Sequence, residues 1–421
     1  MPWKEIGIVE KQTQFVEQWL SQEWTMTELC ERHGISRQAG YNTVGRYQQA
    51  GWKGLEPRRR APRRHPNQTS AELEQRIVEL RREHMRWGPR KLKVVLERRR
   101  PQVSWPAAST MGELLRREGL AIARKKRRRV EPYTAPFASA SEPNRVWCAD
   151  FKGWDRTLDG ERIDPLTLSD ACSRYLLRCQ AVEKTDTPRV QAIYEAAFRE
   201  YGMPQAIRTD NGPPFASRAL RGLSRLSVWL IKLGIVPERI QPAHPEQNGR
   251  HERMHLTLQQ ETMSPMAANQ RAQQRRFDQF RREYNEQRPH EALDMHTPDS
   301  CYVASPRRFP ARVPEPEYPS HMQVRKVQDR GDIAWRGHRH VFLSETLIGE
   351  RVGLEAVDER WFIIYFAHVP LVRFDSRTRT VHRLTPAPDL YIEDAKEGEM
   401  PPSSALHPQN PEQNLSTMSP V

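Results

Sequence analysis

Two glutamates stand six positions apart in the stretch HPEQNGRHERMH, residues 244–255: Glu246 before an Asn-Gly pair and Glu252 just after it. Upstream, Asp150 sits inside an otherwise apolar, aromatic segment, VWCADF, and Asp210 ends the run AIRTD ahead of Asn211-Gly212. A lone carboxylate within an apolar strand is costly to bury unless it is paired, protonated or bound to a metal. An Asn-Gly turn can set the carboxylate before it at the edge of a sheet. Taken singly, Asp150 reads equally well as the partner of a neighbouring arginine and Asp210 as a turn-former. Brought together with a third carboxylate after Asn248-Gly249, they make a hard-oxygen site suited to magnesium or manganese. Two such ions held by three carboxylates activate a water or a 3′-hydroxyl and stabilise the leaving oxygen of an in-line phosphoryl displacement.

The rest of the chain says what substrate such a site would meet. The formal charge is +14 over 421 residues, with a pI near 9.8, which points to a polyanionic partner. The charge is clustered: PRRRAPRRHP at 57–66, ERRR at 97–100 and RKKRRR at 124–129. In this setting the phosphoryl group would belong to a nucleic-acid backbone. The five cysteines are scattered and form no CxxC pair, so neither a disulfide framework nor a zinc site is indicated, and reduced thiols in a cytoplasm are expected. No run of eighteen apolar residues exists and the start, MPWKEIGIVEKQ, lacks the apolar centre of a signal peptide, so no membrane partner is expected.

The elements that must position these groups can be read in outline. Residues 12–50 predict three short helices. Phe15, Val16, Trp19 and Leu20 give the first an apolar face. Thr25 or Thr27 caps the second, Gly34 supplies a left-handed turn, and Ser36 caps a third carrying Val44 and Tyr47. This is the helix-turn-helix pattern, whose second helix enters the major groove and would offer Arg37 and Gln38 to bases. Residues 1–56 are thus read as one DNA-binding domain and 66–125 as a second helical one. Within the latter, SWPAASTMGELLRREGL is read as a short helix, a turn at Ser109 and a second helix stopped by Gly119. Arg58, Arg59, Lys125 and Lys126, in the basic runs, are candidate phosphate contacts.

From Asn144 the texture changes. RVWCADF, DPLTLSD and SRYLLRCQAV predict three successive strands, residues 187–201 a helix closed by Gly202, AIRTD a short strand, 216–233 another helix and ERIQP a last strand. Such an order makes a mixed α/β sheet flanked by helices, over residues 140–305. Residues 270–287 predict a charged helix. Short alternating stretches over 322–385 predict a small β-barrel, and 386–421 have little to bury and read as disordered.

The ordered motifs WCADFKGWD, RTDNGPPF, HPEQNGRHERMH and YNEQRPHEALDMHTPDSCY resemble the integrase catalytic core of bacterial insertion-sequence transposases, relatives of retroviral integrases. The resemblance implies a ribonuclease-H-like α/β core between N-terminal helix-turn-helix units and the C-terminal β-barrel. It implies an Asp, Asp, Glu triad holding magnesium or manganese, cleavage at transposon ends, and joining of the 3′-hydroxyl to target DNA by a homo-oligomer on DNA, in a bacterial cytoplasm at the nucleoid. By motif position the triad is Asp150, Asp210 and Glu252. Many relatives place 35 residues between the second and third carboxylates, a count that Glu246 meets, whereas 41 separate Asp210 from Glu252. Glu252 is chosen because the family's glutamate follows the small turn pair. A carboxylate on the first turn of a helix also has a defined direction, which one in a proline-containing loop lacks.

Other residues receive plainer expectations. Asp170 is read as structural or as a support behind the metal-binding groups, and Asn211 and Asn248 as holders of turns beside the metals. His244, His251 and His255 are read as surface groups, and Trp147, Trp154 and Trp229 as core. YNEQRPHEAL should pack a helix end against the core, with Arg288 and His290 offered to phosphate. Two rival functions stand beside the transposase: a catalytically idle repressor or domesticated copy, and a nuclease that cuts without joining. The need for a helper protein is not legible.

Overall fold

Local signals for helix starts and stops are dense near the N-terminus, and the computed structural model follows them. It describes residues 7–56, 68–122, 140–217, 219–240, 249–337 and 339–384. The chain divides into two compact units, Met1–Leu73 and Glu74–Val421. The first holds α1 (Ile8–Leu20), α2 (Met26–His33) and α3 (Arg37–Ala50). At the start of α2 the Thr25 hydroxyl accepts the Glu28 N–H while the Glu28 carboxylate accepts the Thr25 N–H, a reciprocal capping box. Gly34 ends α2 at φ 62°, and the Ser36 hydroxyl caps α3 by accepting the Ala39 N–H. Phe15, Val16, Leu29, Cys30 and Val44 form the small core. Gly40 lets α3 approach it, because a Cβ there would lie 2.5 Å from Cys30 Sγ.

Next come α4 (Ala71–Glu83), α5 (Pro89–Arg99) and α6 (Ala108–Arg117). The expected break at Ser109 is absent: α6 is one helix beginning at Ala108, because the stretch around Pro106 stays extended up to the Ala107 cap. Gly119 takes a positive φ of 69° just past its end, as anticipated.

The core sheet is built from β1 (Val146–Phe151), β2 (Asp155–Arg156), β3 (Arg162–Asp170), β4 (Leu176–Val182), β5 (Ala206–Thr209) and β6 (Val236–Arg239). Its order is β2-β3-β1-β5-β6 with β4 paired to β3; β1, β3 and β4 run antiparallel in turn, while β1, β5 and β6 are parallel. On one face, α7 (Thr187–Tyr201) and α8 (Arg225–Lys232) bury Val190, Tyr194, Phe198, Leu226 and Trp229 against Trp147, Leu166 and Leu168. On the other, α9 (Gly249–Thr262) and α10 (Gln270–Arg282) bury Met254, Leu258, Phe277 and Phe280 against Ile163, Leu176 and Cys179.

Several boundaries differ from expectation. The helix read over 216–233 shortens to α8, since Ser224 caps it and Arg221 and Gly222 just upstream hold positive φ angles. The last strand lies two residues earlier than ERIQP suggested. α10 stops at Arg282, and a π-turn covers Glu283–Gln287.

A short helix, α11 (Pro298–Cys301), precedes the C-terminal strands β7 (Gln323–Lys326), β8 (Asp332–Trp335), β9 (Arg339–Phe342), β10 (Arg351–Ala356), β11 (Trp361–Phe366), β12 (Val369–Asp375) and β13 (Thr380–His382). Among the described residues the expected barrel does not close. The strands form an open five-stranded sheet, β13-β12-β11-β10-β7, and a separate β8–β9 hairpin. The hairpin covers the sheet's face instead of bonding its edges, with Trp335 edge-on to Phe362 at 5.1 Å and to Phe374 at 4.9 Å. Leu223, Val228 and Ile231 join this core, so α8 is buried on both sides.

Candidate active site

Strand register brings the first two carboxylates together. β1 and β5 lie side by side in parallel with Cys148 level with Arg208, and two further places along each strand reach Asp150 and Asp210. Asp150 is still within β1, where neighbouring strands hold its backbone; Asp210 follows the last residue of β5. The Asn211 side chain donates to the Ile240 carbonyl at 2.9 Å, which ties the turn after Asp210 to the end of β6 as expected. Glu252 lies in the first turn of α9 and is exposed.

The electrostatics join all three. Burial pushes the Asp150 carboxyl up to about 7, and the nearby charges of Asp210, Glu252 and Asp164 push the same way. Burial also raises Asp210, against a backbone hydrogen bond from Gly212. Its Oδ1 is buried with no hydrogen-bond partner among the described residues. The Tyr194 hydroxyl on α7 is likewise buried without a hydrogen-bond partner among the described residues, and Asp210 and Asp150 raise its pKa after burial does. Among the described residues no three His, Cys, Asp or Glu side chains converge into a preformed metal cage. The donor set is all oxygen and one oxygen is unsatisfied, which fits a hard divalent cation and not zinc.

Two histidines complete the wall of the site. His251 and His255, four apart on α9, are buried with exposures of 2% and 6%. Each Nε2 lies 2.6 Å from Thr167 Oγ1 on β3, and His251 Nδ1 lies 3.0 Å from Ser169 Oγ. Burial pushes His251 down to about 3 and His255 to about 2, so both rings are neutral near pH 7. The 3.9 Å approach of His255 Nδ1 to Asp150 Oδ2 is therefore not an ion pair. The spacing HERMH matches a zinc-binding helix motif, yet both rings are engaged by the sheet and no third ligand joins them among the described residues.

Models for an integrase core domain match residues 140–245 and 233–298; a helix-turn-helix domain model matches 11–63 and a homeodomain-like one 39–115. An uncharacterized 31.7 kDa protein of insertion element IS407 from Burkholderia multivorans is 31% identical over 240 residues, which are 55% of this chain and 81% of that relative. The chain belongs to the integrase-core transposases of insertion elements. A 39.2 kDa protein of insertion element IS476 from Xanthomonas euvesicatoria is 29% identical over 249 residues, 58% of this chain and 66% of that protein. Among solved structures, the magnesium complex of the HTLV-2 integrase catalytic core domain in its trimeric form is 14% identical, with a TM-score of 0.31, over 38% of this chain and 97% of that one. A simian T-cell lymphotropic virus intasome in complex with a PP2A regulatory subunit gives 14% and 0.35 over 70% of this chain and 98% of that one.

Within this transposase several side chains lie elsewhere than expected. His251 and His255 are not surface groups; the signal for their burial was available, since they share a helix face with Met254 and Leu258. Trp147 and Trp229 are core, but Trp154 is 57% exposed, with the Arg162 guanidinium over its ring at 4.9 Å. Arg288 is buried and paired with Glu261 at 2.7 Å, and His290 is buried and held down to about 3, so neither is presented to phosphate. Asp170 is structural: it accepts the N–H groups of Asn144 and Ser173 and the Ser173 hydroxyl. Asn285 packs the following segment by bonding both the N–H and the carbonyl of Leu176. Arg37 and Gln38 are exposed at the start of α3. Glu246, His244, Asn248, Arg58, Arg59, Lys125 and Lys126 lie outside the described residues.

Proposed function

We propose that this transposase cleaves DNA at the ends of its element and joins the 3′-hydroxyl to target DNA, with Asp150, Asp210 and Glu252 as the reacting centre. The observation that carries this reading is the shared field of the three carboxylates: Asp150 is pushed up to about 7 by burial and by both partners.

Magnesium or manganese held by these three groups would supply charge stabilisation for the attacking and leaving oxygens of phosphoryl transfer. The chain supplies position. β1 and β5, paired inside the sheet, hold Asp150 and the residue before Asp210, and Asp210 Oδ1 is without a hydrogen-bond partner among the described residues. Glu252 presents its carboxylate from the exposed side of α9, where a DNA strand has access. α3 offers Arg37 and Gln38 to the element's end sequence, and the arginine-rich and lysine-rich runs hold phosphates. Two ends must be joined, which calls for a homo-oligomer on DNA.

The test is a side-by-side cleavage and joining assay of Glu252→Gln and Glu246→Gln on end DNA at saturating magnesium. Glu252→Gln should lose several orders of magnitude of activity, since removing this charge stabilisation costs several kcal/mol. Glu246→Gln should stay within about a factor of ten of the parent. A dead Glu246→Gln beside an active Glu252→Gln would assign the third carboxylate to the other glutamate. Nicks without joined products would favour a nuclease, and no chemistry with intact end binding would favour the idle repressor.

A further inference from the structure

Thr167 Oγ1 has three polar neighbours: the Asp150 carbonyl oxygen at 3.1 Å and the Nε2 atoms of His251 and His255 at 2.6 Å each. A hydroxyl has one hydrogen and two lone pairs. The carbonyl can only accept, so it takes the hydroxyl hydrogen, and both rings then donate from Nε2 into the lone pairs. Ser169 closes the set by donating its hydroxyl hydrogen to Nδ1 of His251. In this arrangement each of these four contacts joins one donor to one acceptor, in a place where Thr167 is fully buried. Met254 and Leu258 already supply apolar contact between α9 and the sheet. Apolar contact tolerates a small slide or rotation of a helix, whereas two short, convergent hydrogen bonds do not.

We propose that Thr167, His251 and His255 form a clasp that sets the rotation and register of α9 on the sheet and so fixes where Glu252 presents its carboxylate. The clasp is anchored on the backbone of Asp150 and carries the residue next to Glu252, so it ties the first carboxylate to the third. A misplacement of about one ångström at a reacting centre can cost about a hundredfold in rate. All three are positioning residues, and the proposal rests on the reading of Glu252 as the third carboxylate.

The test uses the full-length protein with Thr167→Val, which keeps shape and loses the hydroxyl, against Thr167→Ser, which keeps it. His255→Leu is paired in the same way with His255→Gln, whose amide can donate near the Nε2 position. Three readouts are taken: cleavage and joining rates on end DNA, manganese binding by calorimetry without DNA, and histidine nitrogen shifts by NMR. Thr167→Val should slow chemistry by about thirtyfold or more and weaken manganese binding by about threefold or more, with end-DNA affinity unchanged. Thr167→Ser should stay within about threefold of the parent in both measures. The parent should show both rings as Nε2–H tautomers, and Thr167→Val a mixture.

If Thr167→Val keeps the parent's rate and manganese affinity, the clasp has no positioning role. A loss that neither Thr167→Ser nor His255→Gln recovers, with manganese affinity unmoved, would mean a packing defect and also overturn it. Should Thr167→Val fail to fold, the His255 pair and the parent's tautomers decide. Glu252→Gln is run alongside. If that variant is active while Thr167→Val is dead, the assignment of Glu252 fails, and the clasp serves something other than Glu252.

Discussion

Asp150 is half-buried among like charges, so in the metal-free protein its ionisation works against the fold. Its carboxyl stands near 3.8 in an unfolded chain and near 7 here. A raised folded-state value contributes stability that is complete below about pH 4 and is lost as pH rises through about 7. Metal-free protein should therefore weaken between pH 4 and pH 8, and Asp150→Asn should flatten that slope. At pH 8 the variant should be the more stable by a few kcal/mol, on the order of the three-unit shift. Thermal or urea unfolding with a chelator present would show it. Equal slopes for the two proteins would sink the coupling, and a less stable variant at pH 8 would reverse its sign. The motif order picked out Asp150 and Asp210, but the pull on their protons depends on depth and neighbours. The same holds for His251 and His255, whose residue type suggested a surface and whose helix face put them inside.

At the scale of elements, signals that act within a few residues were legible. Thr25, Gly34 and Ser36 do locally what their types favour, because a cap is satisfied by the next turn of backbone. Gly40 differs, since nothing local requires it. It is needed because α3 crosses α2 and α1 there, with Cys30 Sγ 2.5 Å and Phe15 Cζ 3.0 Å from where a Cβ would stand. Gly40→Ala gains helix propensity worth about 1 kcal/mol, but overpacking typically costs 1–3 kcal/mol. The variant should be destabilised in the N-terminal unit and bind end DNA less well, as followed by circular dichroism melting and a binding titration. A stabilised Gly40→Ala would show that α3 does not pack this closely. The misreadings at this scale, a broken α6 and an overlong α8, came from boundaries set by a single proline or cap within a run of similar texture.

For the whole molecule, the excess of 67 lysines and arginines over 53 acids dominates the approach to DNA. If six or more phosphates are neutralised, affinity for duplex should fall by about a thousandfold between 50 and 200 mM salt. Arg37→Ala, at the start of α3, should reduce discrimination between end and random DNA. Arg58→Ala with Arg59→Ala should weaken both alike, because phosphate contacts carry no sequence information. Fluorescence anisotropy on the two duplexes separates these effects; a uniform loss in Arg37→Ala would remove α3 from base recognition. Within the larger unit, α8 joins two cores: Leu226 and Trp229 face the catalytic sheet, and Val228 and Ile231 the C-terminal sheet. The Lys232–Glu350 ion pair at 2.9 Å spans the same seam.

By itself the sequence determined the three-helix start, the α/β texture after Asn144 and the candidacy of Asp150, Asp210 and Glu252. Capping, periodicity and turn chemistry are short-range, and a motif is an order of residue types. Only the tertiary structure decided the rest. The parallel register of β1 and β5 sets two aspartates sixty positions apart level with each other. The docking of α9 turns two histidines onto Thr167 and leaves Glu252 outward. Among the described residues the C-terminal strands form an open sheet, which was not legible because alternation predicts strands but not whether their edges meet. Such outcomes rest on contacts between distant residues, whose free energies depend on burial and direction together, and neither quantity is written in any one stretch of chain.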